Sequence, residues 1–236
     1  MQGFTGGRQM KPEDVYETDT FETFAGPLKL TFLGHGSLMM EFGGRIYHVD
    51  PYGKVADYST LPKADVILIT HEHHDHFDKD ALGAIRASHT ELIYTPACAP
   101  QISGGMVMKN GDVRMIDGVR VEAMPAYNLV HKRPSGQPFH PKGMGNGYVL
   151  AFGGKRLYIA GDTENIPEMG DIGPVDVAFL PMNLPYTMTP KMVAQAAEMI
   201  RPTILYPYHY GDTDVSELLS LMEKVAGVEV RIRDMR

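Results

Sequence analysis

The sequence predicts an αβ/βα sandwich, two facing β-sheets with helices on their outer faces. Short apolar strands come first and strand–helix alternation follows, and that order runs through the chain twice. At 236 residues with 43% hydrophobic content, the chain is also long enough to bury one large core.

Leu28–Leu33, Leu38–Phe42 and Arg45–Val49 are apolar runs broken by Gly34–Gly36 and Gly43-Gly44, the pattern of an antiparallel meander. Val66–Ile69 is an unbroken β-branched and Leu run, as expected of a strand covered on both faces. Asp78 then caps a short helix that turns Ala81, Leu82 and Ile85 inward. Strands resume at Leu92–Tyr94, Met106–Met108, Val113–Ile116 and Val119–Met124. Pro125–Gly147 is rich in Pro and Gly without periodicity and reads as a long loop. Gly147–Phe152 and Lys155–Ala160 form a hairpin about Gly153-Gly154, and Val175–Leu180 is a further strand.

Thr189-Pro190 supplies an N-cap and an N1 proline for a helix with the stripe Met192, Val193, Ala196, Ala197 and Ile200. Arg201-Pro202 ends it, and the strand Thr203–Tyr206 leads to His209. Asp214 and Glu217 make a capping-box pattern ahead of Leu218, Leu219 and Met222. No internal period of 20 to 50 residues is visible. Residues 1–24 read as a loose extension and 25–236 as the domain.

The net charge of −7 and the lack of a Lys/Arg-dominated stretch argue against a nucleic-acid partner. The pair Lys132–Arg133 reads as solvated surface. Cys98 stands alone, so no intrachain disulfide can form and a reducing compartment is expected. No apolar run approaches the ~20 residues of a membrane span, and the opening residues lack a secretory pattern. A cytoplasmic setting without a membrane partner is the expectation.

The strongest signal is His71-Glu72-His73-His74-Asp75-His76, directly after the buried strand. Imidazole and carboxylate are ligands of zinc, iron and manganese, and a catalytic ion needs about three protein ligands and an open position. A tight loop at a strand end can aim residues i and i+2 at one ion and i+4 and i+5 at a neighbour. The alternative, a surface His-rich turn with incidental metal affinity, fits this spacing poorly.

With that cluster, Ala160-Gly161-Asp162-Thr163 and Pro207-Tyr208-His209-Tyr210-Gly211, both at strand ends, make the sequence resemble the metallo-β-lactamase superfamily. Its hallmark is His-x-His-x-Asp-His. Gly34-His35-Gly36-Ser37 and Val49-Asp50-Pro51 resemble early motifs of the branch that includes the L-ascorbate-6-phosphate lactonases. The resemblance implies the metallo-β-lactamase fold, with His71 and His73 on a first ion, Asp75, His76 and His209 on a second, and Asp162 bridging them. His74 is then a bystander. Asp50 either hydrogen-bonds a ligand histidine or is a turn aspartate before proline.

One departure stands out. The family's third histidine on the first ion falls within Met124–Asn128, where this chain has none. Asn128 is the expected substitute ligand, with His131 or His140 from the long loop, or a single-ion site, as alternatives. Two divalent ions are expected, zinc foremost and manganese or iron as competitors.

Two ions ~3.5–4 Å apart sharing a water would make hydroxide available to attack a small-molecule ester, lactone, amide or phosphoester. Asp75 is the candidate proton shuttle, and His140 the candidate group holding an anion or oxyanion. His35 is expected near the site, and Tyr186 either faces the cleft or packs. The partner expected is a small-molecule substrate, with homo-oligomerisation left open. The rival readings are a mononuclear iron dioxygenase of the same fold, a metal-dependent nuclease and a non-catalytic ligand-binding protein.

Overall fold

Alternating burial along the strands decides the layers. In the computed structural model, which describes residues 15–236, Leu28, Leu30 and Phe32 join one core cluster while Leu33 joins a second. Val66 and Leu68 likewise face the first cluster, and Ile67 and Ile69 the second. A strand with period-2 geometry and apolar residues throughout is thereby covered on both faces. Each such Val, Leu or Ile contributes roughly 1.5–3 kcal/mol when fully buried. The first cluster fills the space between two sheets and extends over the outer face of the second; the other lies beneath the helix that covers the first sheet.

The first sheet runs in chain order: β1 (Thr18–Thr23), β2 (Gly26–Gly34), β3 (Ser37–Phe42), β4 (Arg45–Val49), β5 (Val66–Leu68), β6 (Glu91–Tyr94) and β7 (Met106–Val107). Pairing is antiparallel up to β4 and parallel beyond it, with α1 (Lys79–Ile85) crossing from β5 to β6. The second sheet repeats the plan: β8 (Val113–Ile116), β9 (Val119–Ala126), β10 (Gly145–Phe152), β11 (Lys155–Ile159), β12 (Val177–Pro181), β13 (Ile204–Tyr208) and β14 (Glu229–Val230). It too is antiparallel up to its fourth strand and parallel afterwards. The crossovers carry α2 (Pro190–Ile200) and α3 (Val215–Met222). This twofold repeat of strand order lives in backbone pairing and not in residue identity, which is why no period shows in the sequence.

The caps form as expected. Asp78 accepts from the amides of Asp80 and Ala81, Thr189 from Met192, and Asp214 from Ser216. The long loop spans 127–144, with β9 and β10 each two residues longer than the sequence pattern indicated. One expectation fails at the N-terminus. Residues 18–23, read as part of a loose extension, form β1 and pair with β2 from Thr18↔Thr31 to Thr23↔Gly26. The strand is an edge, so its Thr-rich sequence needs only one partly buried apolar residue, Phe21, and gives no hydrophobic signal. Asp19 holds it to the end of the chain through Arg233, at 2.7 and 2.8 Å. The rest of the expected extension, residues 1–14, lies outside the described residues.

His48 on β4 carries a cost of this packing. Burial pushes its imidazole down to about 4 from 6.5, against a single contact to the Pro62 carbonyl at 3.2 Å. The folded protein therefore binds fewer protons than the unfolded chain between those values. Its neutral ring is fully compatible with folding above pH 6.5, and stability falls as pH drops toward 4. Urea unfolding at pH 7 and pH 5 is expected to show a loss attributable to His48 of about 2 kcal/mol, absent from His48→Gln.

Candidate metal centre

The site gathers at the carboxyl ends of strands from both sheets, where open α/β sheets place ligands. Asp50 follows β4, Thr70 to His76 follow β5, Asp162 follows β11 and His209 follows β13. His35 comes from the β2–β3 turn and His140 from the 127–144 loop.

Asp50 is fully buried and organises the first half of the site. Its Oδ1 accepts from the Thr70 amide at 2.7 Å, and its Oδ2 from the Thr70 hydroxyl at 2.6 Å and from His76 Nδ1 at 2.8 Å. The Thr70 hydroxyl has one proton and gives it to Asp50, so His71 Nδ1, 3.0 Å away, must donate to Thr70. One carboxylate thus fixes two imidazoles with their Nε2 lone pairs turned away from it and toward Asp162. His71 Nε2 lies 3.8 Å from Asp162 Oδ2, and His76 Nε2 3.4 Å from Asp162 Oδ1. This is the histidine-supporting alternative raised for Asp50 from the sequence.

Glu164 organises the other half, and nothing in the sequence pointed to it. Its buried carboxylate accepts from the backbone amides of Leu129, Val130 and His131 at 2.6 to 2.7 Å and from Asn128 Nδ2 at 3.2 Å. Burial would push its pKa up, but these bonds outweigh that and hold it below the ordinary carboxylate range. Asn128 also donates to the Tyr186 carbonyl at 2.8 Å. Its Oδ1 accepts from His140 twice, from the backbone N at 2.7 Å and from Nδ1 at 2.9 Å.

The expectation that Asn128 is a metal ligand therefore fails: both ends of its amide are committed elsewhere. It is His140 that the loop brings to His71 and His73. Its Nε2 lies 3.2 Å from both His73 Nδ1 and Asp162 Oδ2. His131, the other loop candidate, pairs with Glu164 Oε1 at 2.6 Å instead. The sequence placed a histidine somewhere in this loop but could not show that a backbone turn under Glu164 would swing His140, 12 residues beyond Asn128, into the site.

Two histidine sets result, His71, His73 and His140, and His35, His76 and His209 with Asp75, and a third group, His71, His76 and Asp162, joins them. Asp162 lies between them, with its Oδ2 3.7 Å from His209 Nε2. Asp75 Oδ2 is 3.0 Å from His35 Nε2, 3.6 Å from His209 Nε2 and 3.9 Å from His76 Nε2. His35 and His209 are linked further by close, tilted rings, 3.7 Å between centroids, and by the His209 amide donating to the His35 carbonyl. His74 is exposed and belongs to neither histidine set, but it lines the cleft onto which they open.

The arrangement asks for positive charge. His71 and His140 both turn lone pairs at His73 Nδ1, 3.1 and 3.2 Å away, which can carry at most one proton. His76 Nε2, Asp162 Oδ1 and His209 Nε2 are buried without a hydrogen-bond partner. Burial favours the neutral His76 ring, but Asp162, Asp50 and Asp75 outweigh it and raise it to about 9. Burial opposes ionisation of Asp162 as well, and the surrounding histidines nonetheless hold it well below the carboxylate range. Nitrogens and oxygens at these spacings match neighbouring ligands on an ion with bonds of about 2.0–2.2 Å. The residues fit divalent metal.

The β-lactamase superfamily domain is matched over residues 29–209. The chain belongs to this superfamily. Within it the chain belongs to the UPF0173 metal-dependent hydrolases. A relative so named from Pelotomaculum thermopropionicum is 30% identical over 220 residues, covering 87% of this chain and 96% of its own. A candidate metal-dependent hydrolase from Parabacteroides distasonis has a crystal structure with TM-score 0.89 and 48% identity, covering 94% of this chain and all of that one. The structure of Igni18, a metallo hydrolase from Ignicoccus hospitalis, aligns with TM-score 0.73 and 26% identity over 88% of this chain and 95% of that one.

The superfamily site in this chain also depends on a close approach at Gly36. A Cβ there would lie 2.8 Å from Cε1 of His76, whose ring Asp50 prevents from retreating. Gly36→Ala is expected to destabilise by about 1–3 kcal/mol in chemical denaturation. Gly83→Ala, on the exposed side of α1 with nothing within 4 Å, is expected to be neutral or stabilising.

Proposed function

We propose that this protein is a dinuclear hydrolase of small-molecule ester, lactone, amide or phosphoester bonds. His71, His73 and His140 hold one ion, Asp75, His76 and His209 the other, and Asp162 spans both. The observation that carries this reading is the Asp162 carboxylate, with one oxygen 3.4 Å from His76 of the second set and the other 3.2 Å from His140 of the first. Two complete donor sets favour this over a mononuclear oxygenase. A set of five imidazoles and two carboxylates suits zinc better than manganese, and the three-histidine first set removes the reason to expect an oxygen-rich site there.

Bound ions would supply Lewis acidity, activating water near neutral pH and polarising the bond under attack. The chain's own residues do the positioning. Asp50 and Asn128 fix the ring orientation of His71, His76 and His140, and His35 braces Asp75, so the charges are set before substrate arrives. Asp75, on the cleft wall and partly exposed, is the candidate to take a proton from the attacking water and pass it to the leaving group. Cys98 takes no part: it is buried beneath the first sheet, and burial pushes its thiol up to about 11. No helix among the described residues is long and apolar enough to cross a membrane, and a cytoplasmic enzyme is the setting we infer.

Metal analysis of the purified protein is expected to give two ions per chain, and chelation to abolish hydrolysis across a panel of aryl esters, lactones and phosphodiesters. A single ion, or activity indifferent to chelation, would overturn the assignment. Asn128→Ala is expected to weaken the first ion by about 10–100-fold, the usual cost of losing a ligand's orienting partner, while leaving the second ion bound in a competition titration.

A further inference from the structure

The histidine sets open into a cleft of about 420 Å³, within the range of small-molecule sites. Besides members of the metal centre, its walls are His74, Arg133, Phe139, Asn183 and Tyr186. Arg133 is the one Lys or Arg among the lining residues. Read from sequence as solvated surface, it is indeed exposed, but its side chain is oriented by its neighbours. Its guanidinium sits 5.1 Å from the Phe139 ring centroid, and Phe139 meets Tyr186 edge-on at 5.1 Å. The backbone beneath is a tight turn: the Arg133 amide donates to the Gln137 carbonyl at 2.7 Å, and the Gly136 amide to the Arg133 carbonyl at 2.8 Å.

Although acidic residues outnumber basic ones 29 to 22, no carboxylate pairs with Arg133 among the described residues. One contact uses its donors, from Nη2 to the Phe139 carbonyl at 3.3 Å. A guanidinium stacked on an aromatic ring keeps its edge free, and that edge matches the two oxygens of a carboxylate or phosphoryl group. Across the cleft, the Asn183 side-chain amide makes no hydrogen bond among the described residues and is available to a polar group of a ligand. Tyr186 is 45% exposed and, with Phe139, makes the aromatic part of the wall.

We propose that the cleft selects a small substrate with a terminal oxyanion, a carboxylate or phosphoryl group, bound by Arg133. The body of that substrate, apolar or aromatic, lies on Phe139 and Tyr186, and its scissile bond reaches the metal centre. The cleavage rests on the hydrolase reading above; the anion binding does not.

The test uses the full-length zinc-loaded protein, with zinc measured in every sample, and inert probes read by calorimetry. The probes are 3-phenylpropionate, phenylphosphonate and neutral 3-phenylpropionamide. At least tenfold tighter binding of one or both anions than of the amide is expected, together with loss of that margin in Arg133→Gln and partial recovery in Arg133→Lys. The two anions tell carboxylate from phosphoryl selectivity. Equal Kd values for wild type and Arg133→Gln would overturn the proposal, because the anions would then be held by the metals alone. So would a wild type that prefers the amide or binds none of the three. If the protein takes up no zinc, the hydrolase reading fails separately, and the same comparison on the metal-free chain still decides the role of Arg133.

Discussion

A carboxylate with no exposure to water must find every hydrogen bond inside the protein, and Asp50 finds its partners in Thr70 and His76. Left unpaired, such a group would cost several kcal/mol or take up a proton. Because its partners are the residue before the histidine cluster and the last histidine within it, satisfying Asp50 also sets the geometry of the cluster. The β4–β5 parallel pair puts them within reach: the Asp50 amide donates to the Leu68 carbonyl as the two strands end together. The metal centre thus depends on a sheet register as much as on its own side chains.

The backbone records what this costs. His35, Asp50 and His209 all adopt positive φ, between 46° and 52°, where a side chain is disfavoured. Each costs of order 1–3 kcal/mol and persists because neighbouring bonds over-determine it. Here the His209 amide is bound by the His35 carbonyl, and the His35 amide by the carbonyl of Arg236 at the chain's end. The strain turns three side chains inward at strand ends where extended backbone would carry them past the site.

The second half of the centre depends on a different device, a carboxylate wrapped by successive amides. Glu164 gathers the backbone of 129–131 and the side chain of Asn128, and Asn128 in turn aims His140. An 18-residue connection between β9 and β10 is long enough to wander, yet its start is pinned from the β11–β12 side of the sheet. The same loop then supplies the cleft wall with Phe139 and Arg133, so one anchored segment carries both His140 of the candidate centre and the wall of the proposed substrate site.

Periodicity, caps and glycine breaks by themselves determined the layered architecture, nearly every strand, the helices and the cluster His71–His76, because those signals are local, while Asp162 and His209 joined the cluster only through the resemblance to the superfamily's motifs. The edge strand β1 escaped, since an edge needs almost no apolar content. Residue order alone could not decide between Asn128, His131 and His140, because the choice turns on contacts 33 to 36 residues apart, made by Glu164. Nor could it separate Arg133 from Lys132, which share a charge but not a direction. Only the tertiary structure settles which side chain a loop turns inward, since that is fixed by the distant backbone amides and buried carboxylates the loop must satisfy.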